Sequence, residues 1–279
     1  MRVRFIFIIL LCISTSISFL NGEISFKIKK MTDCTDQEID ALAQMRITYF
    51  REYPYLYEGK KEYEVHYLAE YQQNAIDAYL VQAFDEKQLV GILTGCAFTS
   101  DIEIIRDGTR LFKQNGLLVE QYYYIGEAII IPGYRDKKIL PRLLYILGTK
   151  VKQLNKYQSL CFLTVVRNED DERKPDDYGS TDLLWEKLGC ERPGIRASFE
   201  WPTIMHDSSV QTIFNEVEFW TYTPGLAGYV QLAKFLVQQG FIASKKTVCD
   251  MITDCLLAGF KVWDTVADFV MDHEPRHND

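Results

Sequence analysis

Two spacings of apolar residues take turns along the chain. Ile24 to Lys30 (ISFKIKK) alternates apolar and polar positions, the period of a half-buried strand. Thr35 to Phe50 carries apolar residues at Ile39, Leu42, Met45, Ile47 and Phe50, a helical spacing that Thr35 or Asp36 would cap. A second helix is predicted over Lys60 to Gln73. Asp77 to Phe84 and Gln88 to Ala97 read as a hairpin across Asp85-Glu86-Lys87. Ser100 to Asn115 is predicted to be irregular or helical, an insertion before the next strand. That strand is the aromatic and β-branched run YYYIGEAIII from Tyr122, which Pro132-Gly133 breaks. A helix follows over Leu140 to Leu154, with Pro141 in its first turn, where amide groups have no intrahelical partner to lose. After it come a strand Ser159 to Val166, a polar loop Arg167 to Ser180, and a short helix Thr181 to Leu188. Two last strands cover Gly194 to Trp201 and Glu216 to Tyr222. The expected class is mixed α/β (α+β), a central mixed sheet flanked by helices, over residues 23–223.

The two ends differ from this middle. Arg2 and Arg4 precede an uncharged apolar run, Phe5 to Leu20, with Ser16 and Ser18 near its end. Residues 1–22 therefore suit an export signal, with an uncleaved anchor as the alternative. A run of sixteen residues falls short of the roughly 17–25 that a spanning helix needs. The expected location is exported or membrane-associated through this segment, and cytoplasmic if it does not act as a leader. Residues 224–279 are predicted to form a C-terminal helical extension, with helices over Leu226 to Gln239 and Ser244 to Asp272. The second has a stripe at Val248, Ile252, Cys255, Gly259, Val262, Val266 and Val270. Residues 244–272 are expected to pack on the domain or on a second copy of the chain.

Composition narrows the function. With 47% hydrophobic and 25% charged residues among 279, the chain has ample material for a core. Its net charge of −8 argues against nucleic acid as main partner, because binding phosphates takes a basic footprint. The seven cysteines are scattered and fit either disulfides or buried thiols, and no ligand spacing suggests a metal site.

One stretch carries the chemistry. A strand, a basic loop (Arg135, Lys137, Lys138) and a helix N-terminus in succession make an anion site, since backbone N–H groups and the helix dipole face the ligand. The stretch YYYIGEAIIIPGYRDKKILPRLL resembles the cofactor segment of the GNAT superfamily of acetyl-CoA-dependent N-acetyltransferases. YRDKKILPRLL aligns without gaps to that family's YRGKGIGxxLL, with Arg135 kept and Lys138 and Leu140 at two glycine positions. The order of predicted elements is also the GNAT order. Four more segments are similar to a prokaryotic branch of that superfamily: MRITYFREYPYLYEG, YIGEAIIIPGYR, KPDDYGSTDLLWEKLG and VEFWTYT.

The resemblance implies transfer of acetyl from acetyl-CoA to a primary amine, on a small molecule or a peptide. It implies that Ile129, Ile130, Ile131, Arg135, Asp136, Lys137, Lys138, Ile139 and Leu140 hold the cofactor. Cβ atoms at 138 and 140 would restrict a loop that glycine lets come close to phosphate. Glu127, an acid inside a central strand, fits the family's general base; its other reading is a hydrogen-bonded staple. Gly126 beside it could mark a bulge that parts this strand from the next. Where the family often has an acid tyrosine in LYEKLGF, this chain has Trp185, so Tyr178 is the candidate acid, with Tyr123 or Tyr124 behind it. Arg51, Tyr53, Tyr55 and Tyr57 lie where the family walls the acceptor site, and tyrosine faces would suit an ammonium group. The alternative function is a GNAT-fold binding or interaction protein that has lost tight coenzyme A binding.

Overall fold

The computed structural model describes residues 24–223, so the leader and the C-terminal extension lie outside the described residues. The chain divides into two compact units. The first takes the described residues up to Tyr178 together with Arg192–Trp220, and the second takes Gly179–Glu191 and the residues from Thr221 onward.

The elements run β1 (Ile24–Lys30), α1 (Asp36–Tyr49), α2 (Lys61–Asn74), β2 (Tyr79–Asp85), β3 (Gln88–Ala97), α3 (Glu103–Gln114) and β4 (Tyr122–Ile130). Then follow α4 (Ile139–Leu154), β5 (Ser159–Val165), α5 (Asp182–Lys187), β6 (Arg196–Ile204) and β7 (Val210–Tyr222). Seven strands form one sheet in the order β1-β2-β3-β4-β5-β7-β6. Its first four strands pair antiparallel in sequence order, while β4 and β5 pair parallel across the α4 crossover. The sheet is therefore mixed and flanked by helices, as the sequence pattern predicts.

Two details go beyond that pattern. The stretch 100–115 resolves into helix α3, whose Ile105 and Phe112 are buried. The last hairpin is longer than expected, because β6 continues through Pro202 to Ile204 and β7 begins at Val210. Proline is tolerated there because β6 is the sheet edge, where a missing ladder donor costs least.

One core cluster lies between the sheet and the first three helices. Ile39, Leu42, Ala43 and Met45 of α1, Leu68 and Tyr71 of α2, and Phe112 of α3 meet Leu80, Ile92, Cys96, Tyr124 and Cys161 of the strands. Helix α4 buries Leu143, Leu147 and Val151 and packs on β1 to β4.

The connection from α1 to α2 is tied down along its length. Glu58 N–H donates to the Pro202 carbonyl at 2.9 Å, and Ile204 N–H donates to the Leu56 carbonyl at 2.8 Å. Arg167 spans the Pro54 and Tyr55 carbonyls at 2.8 and 3.0 Å, and the Trp201 indole adds a third donor at 3.2 Å. Buried backbone acceptors are thus satisfied by strand and side chain together.

In the second unit, α5 buries Trp185, whose indole N–H donates to Thr181 Oγ1 at 3.2 Å. All four described cysteines are free thiols. Among the described residues, no helix is long and apolar enough to cross a membrane, and no group of His, Cys, Asp and Glu is arranged to hold a metal ion.

Of the two candidate caps for α1, Thr35 is the one used. Its hydroxyl accepts from Glu38 N–H at 3.3 Å, and the Glu38 carboxylate accepts from Thr35 N–H at 2.9 Å. Replacing Thr35 with Ala should cost about 1 kcal/mol, read from chemical denaturation of the full chain. An unchanged midpoint would show that this reciprocal cap contributes nothing to stability.

Candidate active site

The site begins with a fault in a ladder. β3 and β4 pair Leu93 with Ala128 and Gly95 with Ile125, so two β4 residues, Gly126 and Glu127, stand opposite Thr94 alone. This is a β-bulge. Side chains alternate along a strand, and Tyr124 faces helices α1 and α2. Without the extra residue, Glu127 would point to the α4 side. The bulge reverses the phase and sends Glu127 toward α1 and α2. Gly126 is required at the same point, because a Cβ there would sit 2.9 Å from Thr94 Oγ1 and 3.4 Å from the Tyr71 hydroxyl oxygen.

Glu127 is 3% exposed and fully engaged. Its Oε1 accepts from Arg46 Nη1 and, at 3.1 Å, from the Tyr67 hydroxyl. Its Oε2 accepts from the Thr94 hydroxyl, whose oxygen in turn accepts from Glu127 N–H at 2.9 Å. Arg46 also donates through Nε to Oε2 of Glu64, a carboxylate of zero exposure, and Glu64 Oε1 accepts from the Tyr57 hydroxyl at 2.5 Å. The guanidinium lies 4.5 Å from the Tyr67 ring centroid and 5.0 Å from that of Phe50. Burial opposes the Arg46 charge, but the Glu127 and Glu64 carboxylates outweigh it and raise its pKa. The Tyr67 phenol is pushed well up by burial and by the Glu127 charge, so it stays protonated.

The same strand parts from its other neighbour. The β4–β5 ladder consists of Tyr122–Ser159, Tyr123–Leu160 and Tyr124–Cys161 and stops there, although β4 runs on to Ile130 and β5 to Val165. Past Tyr124, the β5-facing edge of β4 is left to other partners. At the far end of β4, residues Pro132–Lys137 make a short 3-10 turn, and Lys138 takes the left-handed conformation (φ +56°) that opens α4. The N-cap residue of that helix, Lys138, makes no side-chain cap hydrogen bond. A helix start of this kind favours an anion through its first-turn N–H groups.

The residues expected to hold the cofactor lie at the end of β4, in the turn and at the start of α4. Ile129 and Ile139 are buried, Ile130 pairs with Gly91, and Ile131 N–H donates to the Val90 carbonyl. Arg135 is half exposed, with Nε on the Ile130 carbonyl at 3.2 Å and Nη2 on Glu52 at 2.5 Å. Lys137 lies over the Tyr134 ring at 4.0 Å, Leu140 is half-buried in α4, and of Asp136 only the backbone is described.

The four residues expected to wall the acceptor site go to different places. Arg51 pairs with Glu58 at the surface, Tyr53 meets Tyr178 edge to face at 4.7 Å, and Tyr55 stacks on Phe50 at 4.5 Å. Tyr57 turns into the core onto Glu64. Of Tyr123 and Tyr124, the first donates to the Asp77 carbonyl at 3.1 Å and both are buried. Arg46, Glu64, Tyr67 and Thr94 are additions to the site that sequence reasoning passed over. A signal for two of them existed: Arg46 stands in the apolar stripe of α1, and Glu64 in that of α2.

No protein-family model matches the chain, and no curated protein matches it. Solved structures do. A GNAT-family acetyltransferase from Streptococcus pneumoniae is 15% identical over 72% of this chain and 99% of its own, with a TM-score of 0.44. Arabidopsis thaliana NAA60, solved with acetyl-CoA, is 13% identical over 72% of this chain and 98% of its own, at 0.44. A ribosomal-protein-alanine N-acetyltransferase from Brucella melitensis is 13% identical over 71% and 99%, at 0.43. What the described residues show by themselves is a mixed α/β fold, with a seven-stranded mixed sheet flanked by helices and a short β4–β5 ladder.

Lys138 separates two jobs that glycine does in such a loop. A Cβ in the left-handed region costs roughly 1–2 kcal/mol, so Lys138→Gly should raise stability, by up to about 1 kcal/mol once glycine's extra chain entropy is counted. Leu140 is in regular helix, and Leu140→Gly should lower stability by about 1 kcal/mol or more. Thermal melts of the two variants should move in opposite directions; a shared fall would contradict this account of residue 138.

Proposed function

We propose that this protein is an N-acetyltransferase that passes an acetyl group from acetyl-CoA to a primary amine by direct attack. The observation that supports this most is the parting of β4 from β5 at Tyr124–Cys161, which leads to the uncapped start of α4. Strand edges of that kind suit the amides of a pantetheine arm, and the helix start suits a pyrophosphate. Residues 129–131 and 135–140 would hold the cofactor. The Arg135–Glu52 pair is exposed on both sides and worth little, so a multiply charged phosphate can displace Glu52 from it.

When bound, acetyl-CoA supplies a thioester whose acetyl carbon forms a C–N bond with the amine as its C–S bond breaks. Glu127 is the final proton acceptor. Its carboxylate is enclosed, so the proton reaches it through the Tyr67 hydroxyl, which accepts one from the ammonium as it gives its own to Oε1. Tyr178 returns a proton to the leaving sulfur, a step of modest demand because a thiol pKa near 8.5 already makes a fair leaving group. Tyr53 and Tyr55 border the acceptor side, where an aromatic face favours a cation.

Two measurements on the full chain test this. Acetyl-CoA should raise the melting temperature, by an amount equivalent to about 2.7 kcal/mol at a hundred times its dissociation constant. Free thiol should then appear with at least one member of a panel of primary amines and peptide N-termini, and Tyr67→Phe should slow its release by 10²–10⁴-fold. A shift without any acetylated product would leave the fold as a coenzyme A binding protein. No shift at all would end the transferase reading.

A further inference from the structure

The buried cluster around Glu127 does not balance in charge. Glu64 and Glu127 are two carboxylates at zero and 3% exposure, and one guanidinium, that of Arg46, lies between them. The other groups facing Glu127 can be taken element by element. From α2 come Tyr67 and Tyr71, from β3 Thr94 and Cys96, from β4 itself Tyr124, and from the α1–α2 connection Tyr55. Burial keeps all the ionisable ones protonated: it pushes Tyr55 and Cys96 up to about 12, and Tyr67, Tyr71 and Tyr124 well above their ordinary value. Among the described residues, Arg46 is the cation facing Glu127, and it must serve two anions.

Stability is a weak reason for such a triad. Well-packed apolar side chains often replace a buried ion pair at no loss, because desolvating the charges consumes the gain from pairing them. The geometry has a better use. Arg46 meets Glu127 with one arm, Nη1, and Glu64 with another, Nε, so the guanidinium plane is fixed by Glu64 before it reaches Glu127. Tyr57 fixes Glu64 in turn. The rings of Tyr67 and Phe50 hold the remaining freedom of the guanidinium.

We propose that Arg46 and Glu64 are positioning residues for the transfer reaction, Arg46 keeping the Glu127 carboxylate charged and aimed at Tyr67, and Glu64 tuning how much of the Arg46 charge reaches it. This rests on the transferase reading for its purpose, but its physical content does not need a substrate. Glu127 without Arg46 is a buried anion beside a second anion, and it takes up a proton readily. Glu127 without the Glu64 charge has Arg46 to itself and gives up its proton more easily. The two substitutions therefore push Glu127 in opposite directions.

Carbon-13 NMR of the full chain, labelled at glutamate side-chain carboxyls, reads this directly, with Glu127 assigned through the resonance lost in Glu127→Gln. The Glu127 midpoint should lie higher in Arg46→Gln than in wild type and lower in Glu64→Gln, with Arg46→Lys between wild type and Arg46→Gln. If Arg46→Gln does not fold, Arg46→Lys and Glu64→Gln still carry the comparison. Midpoints that stay put, or that move the same way in the Gln variants, overturn the proposal. With an amine that wild type acetylates, the acidic limb of the kcat–pH profile should follow the NMR midpoint in each variant, while KM for acetyl-CoA stays within about twofold. A rate that falls at every pH with the limb unmoved marks the pair as merely structural and also overturns it. Failure of the transferase reading would appear separately, as absence of acetylated product in wild type.

Discussion

Arg46 stands between two carboxylates that have no other cation facing them among the described residues, and much of the first unit is arranged around that fact. A charge pair at 4 Å is worth about 1 kcal/mol in water and several times that near a protein interior, so the arrangement matters only because it is buried. Burial requires three elements to meet within hydrogen-bond distance: α1 for Arg46, α2 for Glu64 and Tyr67, and β4 for Glu127. Displacing any of them would strand a charge, and a stranded buried charge costs several kcal/mol. The apolar packing of α1 and α2 on the sheet supplies the driving force, and the ion cluster restricts it to one register.

The bulge in β4 is what lets that cluster and the strand edge coexist. A regular strand would keep Tyr124 toward α1 and α2 and turn Glu127 to the opposite face. One extra residue reverses the alternation at Gly126. Bulges also bend the strand that carries them. The ladder to β5 ends at Tyr124, two residues before the bulge. The position of the carboxylate and the end of the ladder thus lie within a few residues of each other, and Gly126 is there because Thr94 and Tyr71 leave no room for a Cβ.

This much of the design could be read from residues alone, and the boundary has a physical explanation. Strand and helix periods located each main element of residues 24–223, since each buries one face and must show it as a spacing. The long β6–β7 hairpin escaped because Pro202 looks like a terminator and behaves as one only away from a sheet edge. Glu127 was visible as an acid in an apolar strand. Its partner was hidden, because a single arginine in a helix is counted as surface by default, and Arg46 becomes conspicuous only when its place in the stripe of Ile39, Leu42 and Ala43 is counted. Glu64 was hidden for the same reason. Tyr57 marks a limit of such reading, because a connection without regular period gives no means of seeing that its hydroxyl turns inward to Glu64.

The loop before α4 shows how a residue other than glycine can lead into a helix at positive φ. Glycine serves a phosphate loop in two ways, by adopting a positive φ and by leaving out a Cβ. Lys138 retains the first, since it sits at φ +56° immediately before the helix, and its side chain is exposed. The path of the backbone into α4 therefore does not need glycine, only tolerance of some strain. Leu140 fills no such role, because it lies within the first turn of regular helix. The N–H groups of the α4 start, with Pro141 taking the place where a donor would be least missed, still point from an uncapped helix end. Lys138 thus supplies by conformation what a glycine would supply there, whereas Leu140 is an ordinary helical position.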